Sequence, residues 1–171
     1  MLNTFRLNPG IERTKYEAGQ QDRSSRIIAA PPERLYDLVS DITQMGRWSP
    51  ENRGGRWIGG ASGPVAGAYF IGFNRRGPVV WATPCQVTVA DRGRRFEFDV
   101  YLIGARWGYL FEPCDGGTRV TEYRDWPYSA PLMKLLRWTG PLGRPRDNLA
   151  LDGLQKTLVR LQEIAEKGGL P

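Results

Sequence analysis

The chain has 171 residues, enough for one domain that buries about two-thirds of the surface exposed by its unfolded chain. Its net charge of +6 arises from basic residues scattered among acids, so the sequence contains no basic stripe of the kind that binds nucleic acid. It contains no histidine, and its two cysteines are far apart, which excludes His-based triads and the usual zinc sites. We therefore expect no metal, no cofactor and no nucleic-acid partner.

The sequence also bears on compartment and domain organisation. No apolar run is long enough to span a bilayer, and the N-terminus lacks the pattern of a secretory signal, so we expect a cytoplasmic protein. Cys85 and Cys114 are accordingly expected as free thiols. Residues 1–23 are polar and aperiodic, which predicts an arm of unknown role, followed by a single domain over 24–168.

The passage from residue 25 to residue 51 predicts a strand and two short helices. An apolar run at 26–30 predicts the strand, and the two prolines after it end strand pairing and open a helix. One apolar helix face follows at spacing i, i+3, i+4, formed by Leu35, Leu38 and Val39. Asp41 is placed to cap a second short helix over 42–47, which leaves Trp48 at the join.

Successive strands, separated by Gly, Asp and Pro turns, are predicted over 56–125. A turn at 91–94 predicts three cross-strand pairs, Cys85 with Val100, Val87 with Phe98 and Val89 with Phe96. A reversal near residue 104 predicts three more pairs, Val100 with Trp107, Phe98 with Tyr109 and Phe96 with Phe111. These pairs place an apolar, aromatic surface on one side of the sheet.

The opposite side is predicted to face water. Its residues form a ladder of mixed charge: Thr88, Arg95, Glu97, Asp99, Arg106 and Glu112. A symmetric five-residue loop over 113–117 would place Thr121 and Tyr123 on the aromatic side, with Glu122 on the charged side.

A long helix over 147–166 is predicted at the C-terminal end. Its apolar stripe consists of Leu151, Leu154, Leu158, Leu161 and Ala165, and should cover the concave face of the sheet. Asn148 lies near its first turn, close to the expected mouth of a cavity. The apolar segment 129–143 is interpreted as a core cap, a lid or a surface for transient membrane contact.

Three segments, in this order of elements, resemble the SRPBCC superfamily of START-like or helix-grip proteins, and within it the polyketide cyclase/dehydrase and lipid-transport family. They are I-A-A-P-P-E-R-L-Y-D-L-V with the following D-I-T-Q-M-G-R-W-S-P-E, G-G-T-R-V-T-E at 116–122, and T-L-V-R-L at 157–161. The resemblance implies an α+β helix-grip fold. In this fold a curved antiparallel sheet of six or seven strands wraps around the C-terminal helix, with two short helices after the first strand.

In helix-grip proteins the sheet and the helix do not pack flush, so the resemblance implies a pocket between them. The predicted cavity residues are Trp48, Tyr69, Trp81, Phe98, Val100, Trp107, Tyr109, Tyr123 and Asn148. Ordinary core packing is the alternative interpretation for these side chains.

The leading functional hypothesis is binding or transport of a hydrophobic small molecule, such as a lipid, a polyketide or an aromatic metabolite. The alternative is a metal-free polyketide cyclase, aromatase or dehydratase, and a third reading is a regulatory or toxin-like protein-interaction module. An inward-facing Glu97, Asp99, Arg106 or Glu122 would favour the enzyme, because catalysis needs an ionisable group in the cavity. The sequence names no catalytic residue and leaves the oligomeric state open.

Overall fold

The computed structural model describes residues 11–14, 21–101, 104–125 and 147–167. The strands are β1 (Ile11–Thr14), β2 (Gln21–Ile28), β3 (Asn52–Ile58), β4 (Tyr69–Arg76), β5 (Val79–Asp91), β6 (Arg95–Val100), β7 (Ala105–Cys114) and β8 (Gly117–Asp125). The helices are α1 (Pro32–Ser40), a 3₁₀ helix (Ile42–Arg47) and α2 (Asp147–Lys167).

The eight strands form one antiparallel sheet in the order β1-β2-β8-β7-β6-β5-β4-β3. The sheet is curved and carries the C-terminal helix, which confirms the predicted α+β helix-grip fold. The expected six or seven strands correspond to β2–β8. Within the predicted arm, β1 adds an eighth strand at one edge and β2 already begins at Gln21.

Both short helices are confirmed. Pro31 is extended and Pro32 opens α1, whose Leu35 and Val39 are buried on the sheet side. The predicted stripe omitted Tyr36, which is also buried and makes edge-on ring contacts with two sheet residues, Phe96 at 6.0 Å and Phe111 at 6.1 Å. Asp41 caps the 3₁₀ helix, because its Oδ1 accepts a 3.1 Å hydrogen bond from the amide of Thr43.

The β5–β6 hairpin has the predicted register over its first two pairs only. Cys85 pairs with Val100 and Val87 with Phe98, but a bulge between Val87 and Val89 places Ala90 opposite Phe96. The predicted Val89–Phe96 pair is therefore wrong.

The predicted β6–β7 register is wrong by two residues. Val100 pairs with Ala105, because the chain reverses tightly at Gly104, whose φ is 67° and whose amide donates to the Val100 carbonyl at 3.0 Å. Phe98 consequently pairs with Trp107 and Phe96 with Tyr109. A shift of two residues leaves every side chain on its predicted side of the sheet.

The predicted β7–β8 register is wrong by one residue, and this error exchanges the two faces of β8. The loop has two residues rather than five, since Cys114 pairs with Gly117. Tyr109 therefore pairs with Glu122, and Gly108 with Tyr123. Glu122 consequently lies on the concave side and Tyr123 on the outer side, the reverse of the prediction.

Helix α2 closes the concave side along β2. Its buried stripe is Leu154, Leu158, Leu161 and Ala165, as predicted. Next to this stripe, Arg26 of β2 donates to Gln162, and the Ala29 amide donates a 3.2 Å hydrogen bond to Glu166. The predicted side-chain positions of Leu151 and Asn148, and the segment 129–143, lie outside the residues that the structure describes.

Two further features complete the description. Cys85 is buried, Cys114 is half-buried, and both are free thiols as predicted. Of the helices in the described ranges, none is both long and apolar enough to span a membrane.

Candidate functional site

The concave side of the sheet is an apolar wall. Its buried side chains come from alternate positions of four adjacent strands: Cys85, Val87, Phe96, Phe98, Val100, Tyr109, Phe111 and Val120. Aromatic rings meet edge-on across it, for example Phe70 and Phe98 at 5.2 Å between centroids.

Glu122 lies in this wall. Its side chain is about as buried as the neighbouring apolar residues, at 2 % exposed, and Oε1 accepts a 2.8 Å hydrogen bond from the Tyr109 hydroxyl on β7. In the described part of the chain, Oε2 has no hydrogen-bond partner. Burial raises the pKa of Glu122 from 4.5 to about 8, and the bond from Tyr109 opposes the rise. Glu122 is therefore mostly a neutral acid at pH 7, and its proton is expected on Oε2.

Trp48 approaches the same pair from the end of the 3₁₀ helix. It is fully buried, and its backbone amide donates to the Met45 carbonyl. Burial and then the charge of Glu122 raise the pKa of Tyr109, whereas the adjacent indole of Trp48 lowers it. Among the residues described, no acceptor has hydrogen-bonding geometry to the indole N–H. Trp48, Tyr109 and Glu122 thus form a buried cluster. The Glu122 proton has no described acceptor, and the indole N–H of Trp48 lies beside the Tyr109 hydroxyl without a well-formed hydrogen bond to it.

A buried ion pair extends this polar region along β2 and β8. Asp22 pairs with Arg124 across the two strands and forms a salt bridge with its guanidinium, while Ser24 pairs with Glu122. The Arg124 guanidinium also lies 5.6 Å from the centre of the Trp107 ring. The predicted β8 register turned Glu122 and Arg124 outward, so neither was among the predicted cavity residues. A two-residue Asp-Gly turn at 115–116 was the signal that would have found them.

The outer side of β6–β8 carries the predicted charged ladder, but two of its carboxylates, Glu97 and Asp99, are buried. Tyr123 donates a 2.5 Å hydrogen bond to Glu97 and accepts one of 3.0 Å from Arg95, and Thr88 donates to Glu97 at 2.7 Å. Burial acts to raise the pKa of Glu97, but these bonds together hold it below its usual value. The predicted exposure of Glu97 to water is therefore wrong, because its neighbours cover it.

The predicted cavity residues separate into three groups. On the concave side are Trp48, Phe98, Val100, Trp107 and Tyr109, with Trp81 half-buried on the same side at the far end of β5. Tyr69 and Tyr123 lie on the outer side; in β4 the residue that enters the core is Phe70. The Asn148 side chain lies outside the described residues. None of the described residues forms a group of three or more His, Cys, Asp or Glu that could hold a metal ion.

A curved antiparallel sheet with a long C-terminal helix and two short helices after β2 is the helix-grip architecture, and the fold defines the chain as a protein of this class. Comparison with family models gives a finer assignment: residues 20–165 match the family described as polyketide cyclase / dehydrase and lipid transport. The chain belongs to that family.

Solved structures agree with this assignment. A Polyketide_cyc-like protein of Corynebacterium glutamicum is 32% identical, with a TM-score of 0.64 over 90% of this chain and 95% of that one. The match to StfQ, the di-domain ARO/CYC protein from the steffimycin biosynthetic pathway, has a TM-score of 0.68 and spans 89% of this chain and 52% of StfQ. Because the two sequences are only 11% identical, this match shows the fold alone. A Thermus thermophilus protein matches with 19% identity and a TM-score of 0.64, over 88% of this chain and 99% of that one. No curated protein sequence matches significantly.

Proposed function

We propose that the protein binds a hydrophobic small molecule that carries a carbonyl or hydroxyl oxygen, and that Glu122 and Trp48 recognise this oxygen. The observation behind the proposal is the burial of the Glu122 carboxyl in an apolar wall, with no described partner at Oε2. The family description supports an apolar ligand, since it names lipid transport and polyketide chemistry.

The energetics favour an oxygenated ligand over a hydrocarbon. Apolar contact contributes about 0.8 kcal/mol per buried methylene group, and this contribution is the same for an oxygenated ligand and for a hydrocarbon of the same size. A buried donor without an acceptor costs about 1–3 kcal/mol, and a ligand oxygen placed against Glu122 or Trp48 would remove that cost. Specificity for an oxygen would therefore come from two groups that have no well-formed hydrogen bond to any described residue.

The experiment compares a fluorescent naphthyl ketone with the alkyl naphthalene of the same size. The proposal expects one-to-one saturable binding with a negative heat-capacity change, and at least a fivefold preference for the ketone from one recovered hydrogen bond of about 1 kcal/mol. Glu122→Met should reduce the preference. Glu112→Met, which replaces an exposed carboxylate on the outer side of β7, should leave it unchanged. Absence of saturable binding, or equal wild-type affinity for both probes, would refute the proposal.

A second candidate function is metal-free dehydration or aldol cyclisation of a β-hydroxy or β-keto compound, and the inward position of Glu122 favours it. With a pKa of about 8, the carboxyl can give its proton to the departing hydroxyl, which leaves as water, and the Tyr109 hydrogen bond stabilises the resulting carboxylate. That carboxylate then takes the α-proton of the substrate, the electrons of the broken C–H bond form the double bond, and Glu122 is neutral again. Turnover of a β-hydroxy ketone that disappears in Glu122→Gln, with binding retained, would support the enzyme. Binding of the same ketone without turnover would favour ligand binding or transport over catalysis.

A further inference from the structure

The outer side of the sheet has two chemically different halves. Over β6–β8 it carries the network of charged side chains around Glu97. Over β3–β5 it carries what we name the apolar outer face, formed by Ile58, Tyr69, Ile71, Phe73, Val80, Ala82 and Pro84. Arg56, Arg75 and Gln86 are the polar residues at the other outward positions where β3 pairs with β4 and β4 with β5, and none of them is acidic. Asp91, at the far end of β5, is paired with Arg95 of β6 and lies outside this face.

This face is continuous and open to solvent. Phe73 pairs with Ala82 and Ile71 with Pro84, so apolar side chains are direct cross-strand neighbours. Phe73 is 47% exposed and Val80 is 70% exposed. Single exposed apolar residues are ordinary, but a contiguous group marks a surface that contacts something apolar.

The charges on the apolar outer face indicate the nature of that contact. Arg56 is the neighbour of Ile71 on one side, and Arg75 is the neighbour of Val80 on the other. Arg76 lies near the same hairpin, but its guanidinium is 3.7 Å from the carboxylate of Glu51, which partly offsets its charge. Arginines that have no ion pair with any described residue, placed beside exposed aromatic and aliphatic side chains, match a surface with anionic headgroups over hydrocarbon.

We propose that the apolar outer face docks on an anionic lipid bilayer. Tyr69, Phe73 and Val80 enter the headgroup region, while Arg56 and Arg75 contact the lipid phosphates. A second copy of the chain fits less well, because a two-fold contact would place the same basic face against itself, and no acidic residue lies within the apolar outer face. The face lies on the outer side, so docking leaves the concave side unobstructed.

Co-sedimentation of the full chain with vesicles tests the proposal. We expect binding to phosphatidylcholine mixed equally with phosphatidylglycerol, and little binding to phosphatidylcholine alone. Added salt should weaken binding, because the Debye length falls from about 10 Å at 0.1 M to about 3 Å at 1 M. Arg56→Gln and Arg75→Gln should each lower the partition coefficient about fivefold, and Phe73→Ser with Val80→Ser should lower it further.

Matched controls lie on the outer side of β2 and β8, away from the apolar outer face. Ile27 is 45% exposed and pairs with exposed Arg119, so Ile27→Ser and Arg119→Gln remove an exposed apolar side chain and an arginine charge from outside the apolar outer face. These variants should bind as the wild type does. The proposal is overturned if wild-type chain stays in the supernatant with anionic vesicles, or if the control variants lose as much binding. It is also overturned if sedimentation velocity shows a dimer that Phe73→Ser dissociates, since the face would then bind a second copy.

Discussion

The Tyr109 hydroxyl donates a 2.8 Å hydrogen bond to Oε1 of Glu122, and this bond crosses from β7 to β8 within the apolar wall. It satisfies half of a carboxyl group that burial has deprived of water. The remaining oxygen keeps the proton, because a carboxylate with one neutral donor is poorly stabilised at this depth. The pair therefore couples the stability of the fold to the protonation of a buried acid.

The first prediction concerns stability against pH. The pKa of Glu122 is about 8 in the folded protein and 4.5 in the unfolded chain, so the folded state holds more protons between these values. Stability should consequently fall as pH rises through this window, by on the order of a few kcal/mol, and level off above about pH 8. Glu122→Gln mimics the neutral acid and should lack the fall. Urea unfolding at a series of pH values measures the free energy of unfolding of the wild type and of Glu122→Gln.

Few other groups are expected to change the stability of the protein between the unfolded and the folded pKa of Glu122. The chain has no histidine, and Glu97, whose folded pKa is lowered, loses its stabilisation only as pH falls below the window. Glu112→Gln, at an exposed carboxylate on β7, should retain the wild-type slope. Equal slopes for wild type and Glu122→Gln would show that Glu122 is ionised in the folded protein.

A second prediction tests the hydrogen bond itself. Tyr109→Phe removes the donor that lowers the pKa of Glu122, so that pKa should rise above about 8 and the stability transition should move to higher pH. Stability should also fall by about 1–3 kcal/mol, because Oε1 loses its partner. The carboxyl C=O infrared band, followed against pH, reports the titration directly. Tyr36→Phe, on the α1 side of the core, should leave the transition where it is.

The elements of the fold could be predicted from local signals. Prolines set the start of α1, Asp41 capped the 3₁₀ helix at its predicted position, and three-and-four leucine spacing identified α2. These signals depend on neighbours within one or two turns, so no long-range contact had to be known.

The site could not be predicted in the same way, because it depends on strand register. Side chains alternate between the two faces, so the two-residue error in β7 left Trp107 and Tyr109 on the correct side, whereas the one-residue error in β8 exchanged Glu122 with Tyr123. Tyr69 was misplaced because Tyr69, Ile71 and Phe73 look like a buried stripe, yet they form the exposed side of β4. An alternating apolar pattern in a strand shows which side chains share one face of the sheet, but it does not show whether that face is buried.

A third prediction concerns the grip of α2. Leu154→Ala and Leu158→Ala should each reduce the free energy of unfolding by about 2–5 kcal/mol, since both side chains are 1% exposed and truncation leaves a cavity. Val159→Ala is the control on the same helix, because Val159 is exposed, and it should cost less than about 0.5 kcal/mol. Equal small losses in urea unfolding for all three variants would contradict the packing of α2 against the sheet.

The last prediction concerns Gly108, which lies under the ring of Tyr123 on the outer side. A Cβ at this position would lie 2.1 Å from Cζ and 2.2 Å from the hydroxyl oxygen of Tyr123, so the ring must move away from Arg95 and Glu97. Gly108→Ala should therefore destabilise the protein by about 1–3 kcal/mol in urea unfolding. Gly63→Ala, where an added Cβ meets nothing within 4 Å, should cost little or nothing.

The cause can be isolated with a double-mutant cycle. In a Tyr123→Ala background the added methyl group has no ring to displace, so Gly108→Ala should cost much less there than in the wild type. Affinity for the naphthyl ketone should be the same in Gly108→Ala as in the wild type, because the change is confined to the side of the sheet opposite Glu122. If Gly108→Ala costs as much stability in the Tyr123→Ala background as in the wild type, the strain lies in the backbone of β7 instead. If Gly108→Ala weakens the affinity for the ketone, the two faces of β8 are energetically coupled.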